Sequence, residues 1–187
     1  MRHHVVTVLF AIVAAVLLAT LQATTPPYAV LTGPIKTAGK QAETVSGRTF
    51  GVEINRVVKA RTISYERFGR SVDLQTSGVW VVVHAELNAF RQTMPVRAAT
   101  MIGASGRLYR QSRRAGEAPN TLSAKTVQPG LPTTGVFIFE LPEDETQSMR
   151  LVVSEQYDPQ LKDEINVVLE ADETVPRNRL EIGKDGV

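Results

Sequence analysis

The sequence predicts an all-β domain of about seven to nine strands, built as two antiparallel sheets packed face to face, behind one N-terminal transmembrane helix. Three observations lead to this fold class. Short apolar runs alternate with polar residues at strand spacing, turn residues separate these runs, and no strand–helix–strand alternation is present. The 187 residues divide into a transmembrane anchor or signal segment at 1–23, a stalk at 24–46, the sandwich at 47–172 and a flexible charged tail at 173–187.

The N-terminal segment is long enough to cross a membrane. Residues 5–21 are uncharged and mostly apolar, and they follow a short basic start. A helix of this length spans roughly 26 Å, close to the ~30 Å hydrocarbon core of a bilayer. The cleavage site of a secretory signal needs small residues at two positions, and here Leu21 occupies the first while Ala23 occupies the second. We therefore expect an uncleaved single-pass anchor, with a cleaved signal as the alternative.

The charges that flank this segment predict its orientation. Arg2 and the amino terminus precede it, and the next charged residue after it is Lys36. Positive residues stay on the cytoplasmic side, so we expect a cytoplasmic N-terminus and an extracytoplasmic C-terminal domain at the inner or cell membrane of a bacterium. The sequence has no cysteine, which excludes a lipidated cysteine anchor and disulfide bonds.

The strands are predicted from residue 50 onward. The alternating residues at 50–54 indicate a half-buried strand, and 57–63 either continues it or forms its partner. The run at 78–87 is the strongest strand, and its start is expected to be covered on both faces, with Trp80 in the core. One or two helical turns are expected at 159–164. The remaining strands are predicted at 96–103, from 108, and at 135–141, 149–153 and 165–169.

Four short motifs follow one another in a recognisable order. A glycine leads through Trp80 into a valine-rich strand, a Ser-Gly-x-x-Tyr hairpin ends at Tyr109, a Pro-Gly turn lies at 129–130, and a strand from Gly135 ends at Pro142. Over residues 47–170 this outline resembles the immunoglobulin-like β-sandwich domains of unknown function that bacterial exported proteins carry behind an N-terminal anchor. The resemblance implies the immunoglobulin-like fold and a binding or accessory role, and it brings no catalytic residue. Many members have a lipidated cysteine, which this chain lacks.

The sequence offers few groups for catalysis. His84 is the one histidine after the N-terminal segment, and Glu86 lies on the same face of its strand. We expect His84 to be a solvent-facing or rim residue, because no cysteine nucleophile or glycine-rich phosphate loop accompanies it. The acidic residues at 140–145 lack the spacing of a calcium loop and are predicted to form a solvated hairpin loop. We therefore expect no enzymatic activity, no cofactor and no metal site.

The charge is distributed unevenly along the chain. The formal net charge is +2, yet residues 28–115 carry about +9 and residues 116–187 about −8. Two interpretations remain open: cross-strand ion pairs neutralise most of this difference, or a one-sided basic surface faces anionic lipid or an acidic partner. Modest basicity and export argue against nucleic acid as a partner. The candidate partner-binding residues of the basic surface are Arg107, Arg110, Arg113 and Arg114, and Arg91 and Arg97 are further candidates for the same surface.

The sequence thus predicts a non-enzymatic, membrane-anchored extracytoplasmic module that binds a partner protein, as an accessory subunit of an envelope complex. The alternative is an exported sandwich that binds a small ligand, ion, glycan or lipid through its end loops.

Overall fold

The computed structural model describes residues 2–171 and 175–183, and the chain divides into two units between Gly33 and Pro34. The first unit contains helix α1 at Arg2–Thr24 and the short helix α2 at Tyr28–Leu31. Within α1, His3–Thr24 has the length and apolar composition of a membrane-spanning helix, and none of its most apolar stretch is buried. A signal sequence has the same length and composition, so this finding agrees with both interpretations of the segment.

The second unit is built from strands. Within the described residues there are twelve of them: β1 Ile35–Lys40, β2 Thr44–Ser46, β3 Phe50–Arg67, β4 Arg70–Ala89, β5 Met94–Pro95, β6 Ala98–Ile102, β7 Leu108–Arg110, β8 Thr126–Val127, β9 Thr133–Leu141, β10 Met149–Ser154, β11 Asp163–Leu169 and β12 Arg177–Ile182.

Two five-stranded sheets form the sandwich. Sheet A has the order β1-β11-β10-β6-β7, and sheet B has the order β12-β3-β4-β9 with β2 added beside β3. Most neighbours are antiparallel, and the two parallel pairs, β1 with β11 and β12 with β3, lie at sheet edges. A two-stranded ribbon joins β5 to β8. The predicted all-β, immunoglobulin-like sandwich is confirmed. More strands are present than the predicted seven to nine because several have only two or three residues and so show no alternation.

The main core lies between the sheets. From sheet B it contains Val81, Val83 and Phe137, and from sheet A it contains Leu151 and Ile165, all of them without exposed surface. These residues alternate with outward-facing ones along their strands, so each strand contributes one face to the core. The result is the ordinary hydrophobic centre of a sandwich.

A second hydrophobic cluster covers the outer face of sheet B. It joins Trp80, Val82 and Ile138 of the sheet to Ala115 and Ala118 of the segment after β7. The distal part of the β3–β4 hairpin, residues 61–75, contributes further side chains to this cluster, and β12 contributes Leu180 and Ile182. The prediction that the start of the 78–87 strand is covered on both faces is therefore confirmed, although Trp80 lies in this second cluster and not between the sheets.

Three predicted boundaries are corrected by the structure. The predicted stalk at 24–46 includes two strands, because β1 pairs with β11 and β2 with β3. The predicted tail includes β12, which pairs with β3, while 172–174 and 184–187 lie outside the described residues. No helical turn forms at 159–164, where bends lead into β11. The alternation of apolar and polar residues is weak in the edge strand β1, because its inward-facing residues are only Ile35, Thr37 and Gly39.

Candidate functional site

The two outer faces of the sandwich differ in how they are covered. The outer face of sheet B is buried beneath the second cluster, where Trp80 has no exposed surface. The outer face of sheet A carries an open groove of about 850 Å³. This groove is larger than three other concave surfaces of the described residues, and we treat it as the candidate functional site.

Three rows of outward-facing side chains cross the strands of sheet A. Neighbouring strands lie about 4.8 Å apart, so a row that crosses all five strands spans roughly 19 Å. Strand pairing places in one row Lys40, Val168, Arg150, Ile102 and Leu108, in the middle row Ala38, Asn166, Val152, Thr100 and Arg110, and in the third row Lys36, Glu164 and Ser154.

The side chains of the rows shape the groove. The short side chains of the middle row, Ala38, Val152 and Thr100, form the floor of the groove. Longer side chains of the first row stand on one side, and the loop after β10 lines the other. From this loop the ring of Tyr157 lies against Arg110, with 4.5 Å between the guanidinium carbon and the ring centroid. This contact closes one end of the groove with an aromatic and a cationic group together.

Apolar and cationic groups are both exposed on this face. Leu108 is 68% exposed, Val168 47% and Tyr157 38%. Arg110 and Arg150 form no ion pair with any of the residues described. The carboxylate of Glu164 is 4.0 Å from Lys36 at the opposite end from Tyr157. A surface of this kind is suited to an occupant that has both apolar and acidic groups.

The four arginines of the predicted basic patch do not form one surface. Arg110 lies in the groove of sheet A, and Arg107 precedes it in the turn before β7. Arg114 lies over the outer face of sheet B, where its guanidinium donates to Glu140 at 2.6 Å and lies 5.3 Å from the ring centroid of Trp80. Arg113 is exposed beside it in a 3-10 helix.

The path of the chain explains this separation. After Arg110 the chain leaves sheet A, and the backbone N–H of Ser112 donates to the carbonyl oxygen of Ile138 in sheet B at 2.9 Å. Arg110 and Arg114 are four residues apart in sequence, yet they belong to opposite outer faces of the sandwich.

Ion pairs between the two halves of the sequence neutralise part of the charge difference. Each pair joins a cation of residues 28–115 to a carboxylate of residues 116–187. Five such pairs occur among the described residues: Lys36–Glu164, Arg48–Asp163, Arg61–Glu143, Arg67–Glu117 and Arg114–Glu140. The first of the two interpretations of the charge pattern thus holds for these residues, while Arg110 and Arg150 of the groove are left outside it.

The structure places the two candidate catalytic residues, His84 and Glu86, on β4. His84 is half-buried on β4, between Arg56 of β3 and Val136 of β9 in the strand register. Glu86 accepts a hydrogen bond of 3.1 Å from the side-chain amide of Asn88. No cluster of three potential metal-ligating side chains occurs in the described part of the chain.

Asp163 is a buried carboxylate that holds a turn of the backbone. One of its oxygens accepts hydrogen bonds from the backbone N–H groups of Arg48 and Thr49, at 2.8 and 2.7 Å, and from the Thr49 hydroxyl at 2.7 Å. The other accepts from the Arg48 guanidinium at 2.9 Å. Burial alone would raise the pKa of Asp163, but the hydrogen bonds from Thr49 and Arg48 together lower it.

Glu145 does the same for the turn between β6 and β7. Its carboxylate accepts hydrogen bonds from the hydroxyl of Ser105 at 2.5 Å and from the backbone N–H of Ser105 at 3.0 Å. These bonds lower the pKa of Glu145 below its ordinary value. Glu145 was expected in a solvated hairpin loop and is instead a buried residue, because the 3-10 helix Glu143–Gln147 turns it inward.

A second concave surface lies at one end of the sandwich, beside Asp163. It measures about 140 Å³ and is lined by Arg48, Met94 and Lys162 among others. Small-molecule sites usually measure about 300–1,000 Å³. Two further cavities beside loops at strand ends measure about 360 Å³, at Gly78 and Pro142, and about 280 Å³, at Gly103 and Ser148. The predicted alternative, a ligand site in the end loops, therefore stays a prediction.

Comparison with known proteins identifies the fold. No protein-family model matches the chain, and no curated protein matches it. Among solved structures it is similar to MPT63, a secreted protein from Mycobacterium tuberculosis, at 17% identity over 73% of this chain and 98% of that one, with a TM-score of 0.52. It is also similar to the yjhA protein from Bacillus subtilis, at 14% identity over 70% of this chain and 99% of that one, with a TM-score of 0.52.

A third similar structure is an uncharacterized beta-sandwich protein from Clostridium difficile. It is 12% identical, covers 78% of this chain and 100% of its own length, and has a TM-score of 0.48. The chain is a β-sandwich. At 17% and 14% identity the similarity to MPT63 and to the yjhA protein establishes the fold, and the function is argued from the site itself.

Proposed function

We propose that this protein is a non-enzymatic module, held at a bacterial cell membrane by α1 with its sandwich outside the cytoplasm, that binds a partner protein of the envelope through the outer face of sheet A. The observation that carries the proposal is the contrast between the two outer faces. The chain buries one beneath its own second cluster and leaves the other as an open groove.

The composition of the groove supports a protein partner. Its exposed apolar groups, Leu108, Val168 and Tyr157, could be buried against another surface, and that burial would favour binding. Arg110 and Arg150 form no ion pair within the described residues. Carboxylates of a partner at the matching positions would form ion pairs with them. In this proposal the chain is an accessory subunit of an envelope complex, and the groove is its interface with the partner protein.

The membrane location is supported by α1 and by the fold. The helix has the length and composition for one membrane crossing. MPT63, which shares the fold, is described as a secreted protein, in agreement with export of this sandwich. The proposal assigns no catalysis to His84, which lies between Arg56 and Val136 in the strand register.

Site-specific photocrosslinking tests the proposal. The full chain is expressed in its native host with p-benzoylphenylalanine in place of Val152, on the floor of the groove. A matched chain has the same photoreactive group in place of Gln128, an exposed residue in a turn outside the groove. Irradiation followed by mass spectrometry then identifies what each position contacts.

We expect one envelope protein to be crosslinked through position 152 and not through position 128. Crosslinking to the same proteins from both positions would indicate random contact and would contradict the proposal. The absence of any protein crosslink from position 152, in cells where the chain is folded, would contradict it as well.

A further inference from the structure

The turn at the tip of the β3–β4 hairpin places Phe68 in the left-handed backbone conformation, which is unfavourable for an aromatic residue. Phe68 and Gly69 link the two strands, with φ values of 49° and 73°. Two successive positive φ angles are typical of a type I′ hairpin turn, which favours asparagine or aspartate followed by glycine. A large aromatic residue is uncommon in this left-handed conformation because its Cβ crowds the backbone.

Phe68 gains no burial in return for this conformation. Its side chain is 92% exposed, the highest value among the large hydrophobic residues described. A Cβ built on the neighbouring Gly69 would meet no atom within 4 Å, so the tip projects into open space. The tip therefore presents an apolar ring to its surroundings, and the folded domain does not use that ring for its own stability.

Two arginines flank the ring. Arg67 and Arg70 are directly opposite each other in the hairpin register, and like charges in such positions disfavour strand pairing. Arg67 is paired with Glu117, and its guanidinium carbon lies 5.2 Å from the centroid of the Phe68 ring. Arg70 is exposed and has no ion pair within the described ranges. Three locally unfavourable choices thus coincide at one tip, as is typical of functional positions.

We propose that Phe68, Arg67 and Arg70 form a membrane-contact tip that binds the headgroup region of an anionic lipid bilayer. An aromatic ring is favourable at the boundary between headgroups and acyl chains, and guanidinium groups bind lipid phosphates with paired hydrogen bonds. Each basic residue near an anionic surface adds further attraction. The inference shares the membrane location of the proposed function but is independent of the partner and of the groove.

The size of the tip favours lipid over a protein partner. A stable protein interface needs about 800 Å² on each side, far more than one ring and two arginines provide. A lipid contact of this size is weak on its own. It suffices when the domain is tethered, because a retained α1 keeps the local concentration of the bilayer high.

Fluorescence quenching by brominated lipids tests the tip directly. The only tryptophan of the chain, Trp80, is fully buried and gives a constant background. The full-length Phe68→Trp variant is reconstituted into vesicles of phosphatidylcholine, with or without phosphatidylglycerol, whose acyl chains carry bromine near the headgroup. Leu131→Trp is the matched control, since Leu131 is 60% exposed in a turn beside the far end of β4, where Leu87 pairs with Thr133.

We expect bromine to reduce the emission of the Phe68→Trp variant in vesicles that contain phosphatidylglycerol, with a shift of the emission to shorter wavelength. The Leu131→Trp variant should not respond. Adding Arg70→Gln to Phe68→Trp should abolish most of the quenching by lowering the charge of the tip.

Three results would overturn the inference: no quenching of the Phe68→Trp variant, equal quenching of both tryptophan variants, or quenching that is unaffected by phosphatidylglycerol and by Arg70→Gln. None of them bears on crosslinking through position 152, so the failure of this inference and the failure of the proposed function are distinguishable.

Discussion

The indole N–H of Trp80 donates a hydrogen bond of 3.0 Å to the backbone carbonyl oxygen of Leu74, six residues earlier in the same strand. The two residues flank an irregularity in β4, because Ala60 pairs with Trp80 while Thr62 pairs with Gln75. The bond joins the distal hairpin to the body of sheet B at the centre of the second cluster. Trp80 therefore holds together the structure that keeps the outer face of sheet B closed.

Replacing Trp80 should destabilise the domain strongly. The change Trp80→Ala removes a fully buried aromatic side chain and should lower the free energy of unfolding by about 3–5 kcal/mol. Urea denaturation measures this loss. The matched control Arg113→Ala changes an exposed residue of the adjoining segment and should alter stability by less than about 0.5 kcal/mol. A small decrease in the free energy of unfolding for Trp80→Ala would mean that the second cluster contributes little to stability.

Asp163 should be the most important carboxylate for stability at its end of the sandwich. The change Asp163→Ala leaves the backbone N–H groups of Arg48 and Thr49 without their acceptor and should cost about 2–4 kcal/mol. Asp144→Ala, which removes an exposed carboxylate, is the control and should be nearly neutral. Thermal unfolding of both variants checks the difference, and equal melting temperatures would contradict it.

Stability should fall in acid because two buried carboxylates have lowered pKa values. The ordinary values are 3.8 for Asp163 and 4.5 for Glu145, and in the folded chain both pKa values are lower. The stabilising contribution is complete above the ordinary values and is lost as the pH falls through the lowered ones. Urea denaturation at a series of pH values below about 5 measures the slope.

The double variant Asp163→Asn with Glu145→Gln provides the control for this pH dependence. It should be less stable than the native chain at neutral pH and should lose less stability on acidification, because neither position can be protonated further. An unchanged acid slope in the double variant would show that other groups cause the loss.

The mass of the native protein decides whether α1 is retained. The full chain has a mass of 20.5 kDa, and the account of a membrane-held module predicts this value for protein recovered from its own membranes. A mass lower by residues 1–23 would show that the segment is a cleaved signal. Intact-mass spectrometry after mild detergent extraction makes the measurement.

The long strands could be predicted from the sequence because each has one face in a core. Alternation or a valine-rich run is visible in β4 and β9, whose inward residues include Val81, Val83 and Phe137. The edge strands could not be predicted in the same way. In β12 only Leu180 and Ile182 are buried, which leaves too short a pattern to distinguish a strand from a charged tail.

The groove could not be predicted from local sequence patterns. Its rows join side chains from five strands, so Arg110 and Arg150 meet on one face although forty residues separate them in sequence. The sequence places Arg113 and Arg114 close to Arg110 along the chain, and for that reason it predicts one basic surface that contains all three. Of the four predicted partner-binding residues, Arg110 alone lines the groove, because the chain crosses to sheet B at Ser112.

A charge-reversal comparison tests the central claim, that the outer face of sheet A binds an acidic partner protein. Arg110→Glu with Arg150→Glu reverses two cations of the groove, while Arg91→Glu with Arg113→Glu reverses two exposed cations elsewhere and changes the net charge equally. The measurement is recovery of the crosslinked partner with each full-length chain from mildly solubilised native membranes. The account predicts that the groove variant loses the partner at unchanged stability and that the control retains it. Equal recovery with both variants would contradict the claim.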